Sequence, residues 1–361
     1  MIKRVPRRGG WSVAVLAGIV NAGCFTQRVP PQPVPEQLGR IPLGAAWEAR
    51  SGSGFSGTMV VSDSVLYAGG LDRKVYAIST ATGHKLWSKR LPGAVVGGVA
   101  HSGDTLFVGT DRPTGRVRAL DGITGEEIWE ARTARIAVPL LVMDGTIVAH
   151  GIDGSLYALR SRDGTNMWQR ESGISLVAPV PGGDGSIIAT TLDTIYRLAL
   201  DDGRLLQHVP SPGAVTSPWV LEGDYLLGGT ASGMVVKLDR RDLHVMWQLQ
   251  LPSEVLVSPV SLGDTVFAIT RPGDLFRIDP GEPRTAELVS RLDRPVTAPL
   301  TVYGHWIMVG GADGVLRAID PDGSQAWELA LWRPIAVPPV ALPDGFVAFG
   351  GIGDMHRLVV R

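Results

Sequence analysis

The 361-residue chain has one cysteine, Cys24. No disulfide can form within it, and no cysteine-based metal site is available. Neither sign of charge is in excess: 34 basic and 35 acidic residues leave a formal net charge of −1. Bulk electrostatics therefore give no argument for nucleic acid as a partner. Lysine is scarce, five against 29 arginines, which reads as codon bias. The seven histidines (His84, His101, His150, His208, His244, His305 and His356) form no H-x-x-x-H pair, and G-x-S-x-G does not occur. Zincin-type and α/β-hydrolase-type chemistry thus lack their residues. The glycine pairs Gly69-Gly70 and Gly310-Gly311 precede no helix, so they read as turn residues and not as phosphate cradles. The acidic residues are scattered into turns, where Asp is expected in any case.

The apolar stretch from Trp11 to Ala22 is too short to cross a bilayer. As a helix it covers about 18 Å, against a hydrocarbon core of about 30 Å. It follows Lys3, Arg4, Arg7 and Arg8, the layout of a signal peptide over residues 1–23. "NAGC" is similar to a lipobox, which would make Cys24 the lipidated first residue of the mature protein. Cleavage after Ala22 fits the small-x-small rule as well. Residues 24–40 carry "FTQRVPPQPVPEQLGR". Its prolines predict an extended spacer between anchor and body. The folded body is expected over 41–361.

That body is periodic. Phrases such as "GLDRKVYAISTATGHKLW", "GIDGSLYALRSRDGTNMW" and "GGADGVLRAIDPDGSQAW" recur along it. A glycine-type marker falls at Arg73, Gly115, Gly154, Asp193, Gly233, Gly273, Gly314 and Gly353. A Trp marker falls at Trp47, Trp87, Trp129, Trp168, Gln207, Trp247, Leu288 and Trp327. A third, usually proline, falls at Thr58, Gly98, Pro139, Pro179, Pro218, Pro259, Pro299 and Pro338. All three share a spacing of about 40 residues, a period of repeat architectures.

Within one period the apolar segments are too short for helices and are bounded by Gly and Asp-Gly. In the third, "IAVPLLVM", "TIVAHG", "SLYALR" and "NMWQRE" read as four antiparallel strands. Their joints are Asp144-Gly145, Asp153-Gly154 and Asp163-Gly164, which supply positive φ for tight turns. Four short strands per period predict an all-β, eight-bladed propeller. Proline near the first strand suits an edge facing the central channel. Trp on the outermost strand is large enough to wedge a neighbouring blade. The last repeat ends at Arg361 without a Trp strand, and the strand around Trp47 has no blade of its own. The N-terminal strand is therefore expected to complete the C-terminal blade and close the ring.

"RKVYAISTATGHKLW", "GRVRALDGITGEEIW" and "GSLYALRSRDGTNMW" resemble the repeat of pyrroloquinoline-quinone-type propellers over about residues 41–361. One branch of that family, the quinoprotein dehydrogenases, uses a vicinal disulfide, Ca²⁺ and an Asp base, and its members are longer. The single cysteine argues against a PQQ- and Ca-dependent dehydrogenase. The other branch is the lipoprotein propeller of the outer-membrane β-barrel assembly machinery. Resemblance to it implies a non-enzymatic scaffold without a cofactor, anchored through Cys24 at the periplasmic face of the outer membrane. Its implied partner is another envelope protein, such as the periplasmic domains of a barrel-assembly subunit. Phe25, in place of Asp after the cysteine, agrees with outer-membrane sorting by analogy. A periplasmic sensor or carbohydrate-binding propeller is the other alternative.

Departures from the repeat are the candidate interaction loops. The second blade inserts two residues around Arg112. The sixth lacks its Trp and carries Arg284, Arg291 and Arg294. "ALWRPIAVPP" places Trp332 and Arg333 in an unusual join, and both residue types are enriched at binding hot spots.

Overall fold

A computed structural model describes residues 43–111, 115–279, 285–331, 333–351 and 353–360. The signal segment, Cys24, the spacer, Arg112, Arg284 and Trp332 lie outside the described residues. Regular structure among the described residues is entirely strand, in eight antiparallel sheets of four. Blades 1–7 each use consecutive strands, and blade 8 is split between the two ends of the chain. In blade 3 the strands are Leu141–Met143, Thr146–His150, Ser155–Arg160 and Asn166–Glu171. Blade 8 contains Val340–Leu342, Gly345–Phe349 and Asp354–Val360, and its outer strand is Leu43–Arg50.

The closing strand pairs from Leu43 opposite Val360 to Arg50 opposite Asp354, with a bulge before Trp47. Arg50 Nε lies 2.8 Å from the Asp354 carboxylate. The core is distributed as eight clusters of buried side chains, one at each seam between adjacent blades. The seam between blades 8 and 1, for example, joins Val347, Phe349 and Met355 to Phe55, Leu66 and Tyr76. Each blade buries its two faces only against its neighbours, so stability depends on an unbroken ring.

The asparto-glycine joints divide into two kinds. Asp144 and Gly145 both take positive φ, +47° and +73°, a true two-residue hairpin. At the other two joints only the glycine is left-handed, Gly154 at +86° and Gly164 at +71°. There the aspartate caps the turn instead. Asp153 accepts the Ser155 N–H at 3.0 Å, and Asp163 accepts the Thr165 N–H at 2.9 Å.

The Trp markers lie on the outer strands and bind the next blade. The indole N–H of Trp47 donates to Thr80 O at 2.8 Å, Trp87 to Gly122 O at 2.9 Å, Trp129 to Ser161 O at 3.0 Å and Trp168 to Leu200 O at 2.8 Å. Each acceptor belongs to the hairpin between the third and outer strands of the following blade. Three residues further along that hairpin stands a glycine under the ring. A Cβ on Gly83, Gly125, Gly164 or Gly203 would come 2.5–2.7 Å from Trp47, Trp87, Trp129 or Trp168 respectively. The Thr-Gly element and the Trp of the phrase thus serve two successive seams.

Bulges set the Trp rotation. In blade 1 Trp87 lies opposite Ala77 and Lys85 opposite Ile78, leaving Leu86 bulged. An extra residue re-aims the one after it, so the indole enters the seam and Leu86 stays 56% exposed. Trp327 differs. Its ring stacks on Phe346 at 6.0 Å and 8°, and its buried N–H has no hydrogen-bond partner among the described residues. Blade 8 takes its third and outer strands from opposite chain ends, so it has no hairpin there to accept the bond. Blade 6 corrects the sequence register: its bulge lies between Leu288 and Ser290, so Leu288 is not in the Trp position. Val289 packs at the seam instead. A Cβ on Gly323 of blade 7 would approach the Val289 Cβ at 2.9 Å.

Candidate protein-docking face

The ring has two unlike faces. On the hairpin face, the turns joining inner to second strands meet the turns joining third to outer strands. Thr80 N–H donates to Ser64 O at 2.9 Å, and Gly122 N–H donates to Asp104 O at 2.7 Å. Seven of the eight inner hairpins put an exposed aspartate there: Asp63, Asp104, Asp144, Asp184, Asp224, Asp264 and Asp344. The eighth has His305. Such a surface is well solvated and repels a dry contact.

On the opposite face lie the loops joining second to third strands and the links that carry the chain to the next blade. We term it the link face. Here the repeat gives an internal alignment. The carbonyl of one link residue accepts an N–H from the next blade's loop at each of seven seams: Gly54 from Leu71, Ala94 from Asp111, Arg135 from Ile152, Ile174 from Leu192, Ala214 from Ala231, Glu254 from Arg271, and Pro295 from Ala312. The following residue is a buried apolar plug: Phe55, Val95, Ile136, Val215, Val255 and Val296 are all less than 8% exposed. In the link between blades 3 and 4 that residue is Ser175, which is only half-buried.

The polarity of this link is inverted. Its inward position is a serine, while Ile174 and Leu176 beside it are 42% and 47% exposed. Leu192, hydrogen-bonded through its N–H to Ile174 O at 3.2 Å, is 42% exposed. Ile152, on the preceding blade's loop, is 38% exposed. A hydrophobic residue turned outward next to a hydrophilic one turned inward opposes folding, and such patches mark interaction sites.

His150 stands behind this link. It ends the second strand of blade 3 and is 2% exposed. Its Nε2 is 2.9 Å from Gly173 O and 3.3 Å from Ser172 Oγ. A carbonyl only accepts, so Nε2 carries the hydrogen. Burial holds its pKa below the ordinary value of 6.5, opposed by the Gly173 bond and by Asp153. The ring is therefore neutral at physiological pH.

Of the sequence candidates, Arg291, Arg294 and Arg333 are exposed on the link side of blades 6 and 7. Arg291 Nε is 3.6 Å from Asp274, and Arg294 donates to Asp293 O at 2.9 Å. They do not adjoin the Ile174 link. The blade tryptophans are structural wedges. Two other features hold little. A cleft of about 280 Å³ between blades 1 and 2 is lined by Trp87, Leu86, Leu106 and Ile123; it is the outer end of the gap that Trp87 fills. Asp239, Asp242 and His244 bring ligand atoms within 4.8 Å of one another, but Asp239 and Asp242 already accept the Arg241 and His244 backbone N–H groups. The inverted link was missed in the sequence. Its signal is "GISLVAP", where apolar and polar residues exchange places relative to "GAVTSP".

The family model described as outer membrane protein assembly factor BamB matches residues 44–173, 93–216 and 193–333, which together run from 44 to 333. The outer membrane protein assembly factor BamB of Yersinia pestis is 23% identical over 86% of this chain and 87% of its own length. The crystal structure of BamB from Moraxella catarrhalis matches with a TM-score of 0.75 at 16% identity, over 88% of this chain and 99% of that one. A quinohemoprotein alcohol dehydrogenase from Pseudomonas putida matches at 0.70 and 14% identity, over 88% and 76%. At such identities the structural likenesses establish the propeller fold alone.

Proposed function

Because the chain belongs to the family of the outer membrane protein assembly factor BamB, we propose that it is a non-enzymatic scaffold in outer-membrane protein assembly. It works by docking a periplasmic domain of an assembly subunit on its link face. The inverted link between blades 3 and 4 carries this reading. Ile174, Leu176 and Leu192 give a compact apolar centre, and burying one such side chain contributes about 1.5–3 kcal/mol. The partner supplies an apolar surface of matching size. The acidic hairpin face stays in solvent.

The double variant Ile174→Asp, Leu176→Asp tests the site. Both side chains are exposed, so the melting temperature is expected to stay within about 2 °C of wild type, as for ordinary surface changes. Binding to the purified periplasmic region of the cognate barrel-assembly subunit, measured by calorimetry, is expected to weaken by about 30-fold or more, the scale of a hot spot. Unchanged affinity would place the docking site elsewhere on the ring.

The same reading includes anchoring through Cys24 to the periplasmic face of the outer membrane. Cys24→Ala is expected to move the protein from the membrane to the soluble fraction without changing its melting temperature. A wild-type protein that carries no acyl mass and leaves membranes in high salt would instead support cleavage after Ala22.

A further inference from the structure

The inverted link raises the question of what holds it inside out, since apolar residues left in water tend to turn inward. At four other seams the plug residue is seated on a glycine near the end of the preceding blade's second strand, and at the remaining three that place is held by Thr190, Ile269 and Phe349. A Cβ on Gly69 would fall 2.5 Å from Val95, and a Cβ on Gly109 would fall 2.6 Å from Ile136. Gly229 and Gly310 seat Val255 and Ile335 in the same way. At these four seams the plug is also pinned by its own N–H, which donates to a carbonyl of the preceding blade: Val95 to Gly70, Ile136 to Thr110, Val255 to Thr230 and Ile335 to Gly311.

Blade 3 departs at both halves of this pair. His150 occupies the place of Gly69, Gly109, Gly229 and Gly310, and Ser175 occupies the place of the plug. The pinning bond from Ser175 is absent among the described residues. The Ser175 hydroxyl instead closes on Val177, donating to its carbonyl at 2.8 Å and accepting its N–H at 3.1 Å. That local turn satisfies the Ser175 hydroxyl and the Val177 N–H without a bond to the preceding blade. The His150 imidazole takes up the vacated depth and holds the link by Gly173 O, at a residue with φ of +108°. Its Nδ1 is buried with no hydrogen-bond partner among the described residues, so the contact with Gly173 is kept although the other ring nitrogen is left unsatisfied.

We infer that the paired exchange of His150 for glycine and Ser175 for an apolar plug is the device that turns this link outward and presents Ile174 and Leu176. The inference rests on the docking site proposed above. His150 is a positioning residue: it touches the link and not the partner. An outward link built this way is pre-organised, so the partner does not have to open a closed seam before it binds.

The experiment restores the sibling arrangement in the full chain with His150→Gly, Ser175→Val. Ile174 and Leu176 remain. The variant is expected to fold with a melting temperature equal to or above that of wild type, to slow amide hydrogen exchange over residues 174–177, and to weaken binding of the same periplasmic region by about tenfold or more. His150→Gln, whose amide can still donate to Gly173 O, is expected to keep exchange and affinity close to wild type. Should the paired variant misfold, His150→Gly alone carries the test: it removes the bond to Gly173 O, so faster exchange over residues 174–177 is expected, and wild-type exchange in it overturns the inference. Wild-type exchange and affinity in the paired variant overturn the inference, as does an equal loss of affinity in His150→Gln. If Ile174→Asp, Leu176→Asp binds normally, the docking site itself is wrong; the exchange rates then still decide whether His150 and Ser175 set the link.

Discussion

Removal of residues 43–50 is expected to lower the melting temperature by well over 10 °C or to drive the protein into aggregates. The strand is the outer member of blade 8 and pairs along its length with Asp354–Val360. Without it that blade has three strands and an open edge, which templates intermolecular pairing. Trp47 leaves with it, and so does the bond from its indole to Thr80 O. Truncating a buried Trp alone costs about 3–5 kcal/mol, out of a total margin of about 5–15 kcal/mol. Gly83 would be uncovered, because the Trp47 ring lies on it. Trp47→Ala separates the wedge from the strand. Its side chain is only part-buried, so about 2–3 kcal/mol is the expected loss, with pairing to the last strand preserved. Calorimetric melting of the two variants checks the order. A truncated chain that melts with wild type would show that the ring does not depend on its N-terminal closure.

The closure was legible in the sequence because it follows from counting. The Trp marker begins one unit early and the last phrase lacks one, so a ring of four-stranded blades can be completed in only one way. The seam wedges were legible too, since a Trp on an outer strand has only the gap to a neighbouring blade to fill. The inverted link was not legible. Ile174, Ser175 and Leu176 alternate in polarity like any strand, and only their exposure in the fold, with the hydrogen bond from Leu192 to Ile174 O that aligns the link with its siblings, shows that Ile174 and Leu176 face solvent. The arginine candidates were chosen as irregularities in a loop. Irregularity measures difference from the siblings and not orientation, and Arg291 uses its charge on Asp274 of the same blade. In blade 6 the Trp marker fell on Leu288, because spacing cannot detect a bulge that moves along its strand to Val289.

One seam shows how a Trp and its glycine seat change together, and it predicts a coupling that can be measured. Between blades 4 and 5 the wedge is Gln207, and its side-chain amide donates to Asp242 O of the next hairpin. The residue in the seat is then Leu243, held at φ +58° and only 1% exposed. A leucine pays a steric cost in the left-handed region, yet here it fills volume that an indole fills elsewhere, packing with Ile195, Trp219 and Leu238. The seam between blades 2 and 3 has the common pair, Trp129 over Gly164 at φ +71°. Trp129→Gln should cost about 2–4 kcal/mol through the vacated seam. Gly164→Leu alone should cost about 3 kcal/mol or more, since its Cβ would meet the indole at 2.5 Å and its backbone would be strained as well. Together they recreate the pair seen at Gln207 and Leu243. The double variant is expected to lose about 1–3 kcal/mol less than the sum of the single losses, a coupling typical of residues in contact. Denaturant unfolding of the four proteins gives that coupling directly. Additive losses, within about 0.5 kcal/mol, would mean that the two positions do not share one seam volume and that Leu243 is tolerated for some other reason.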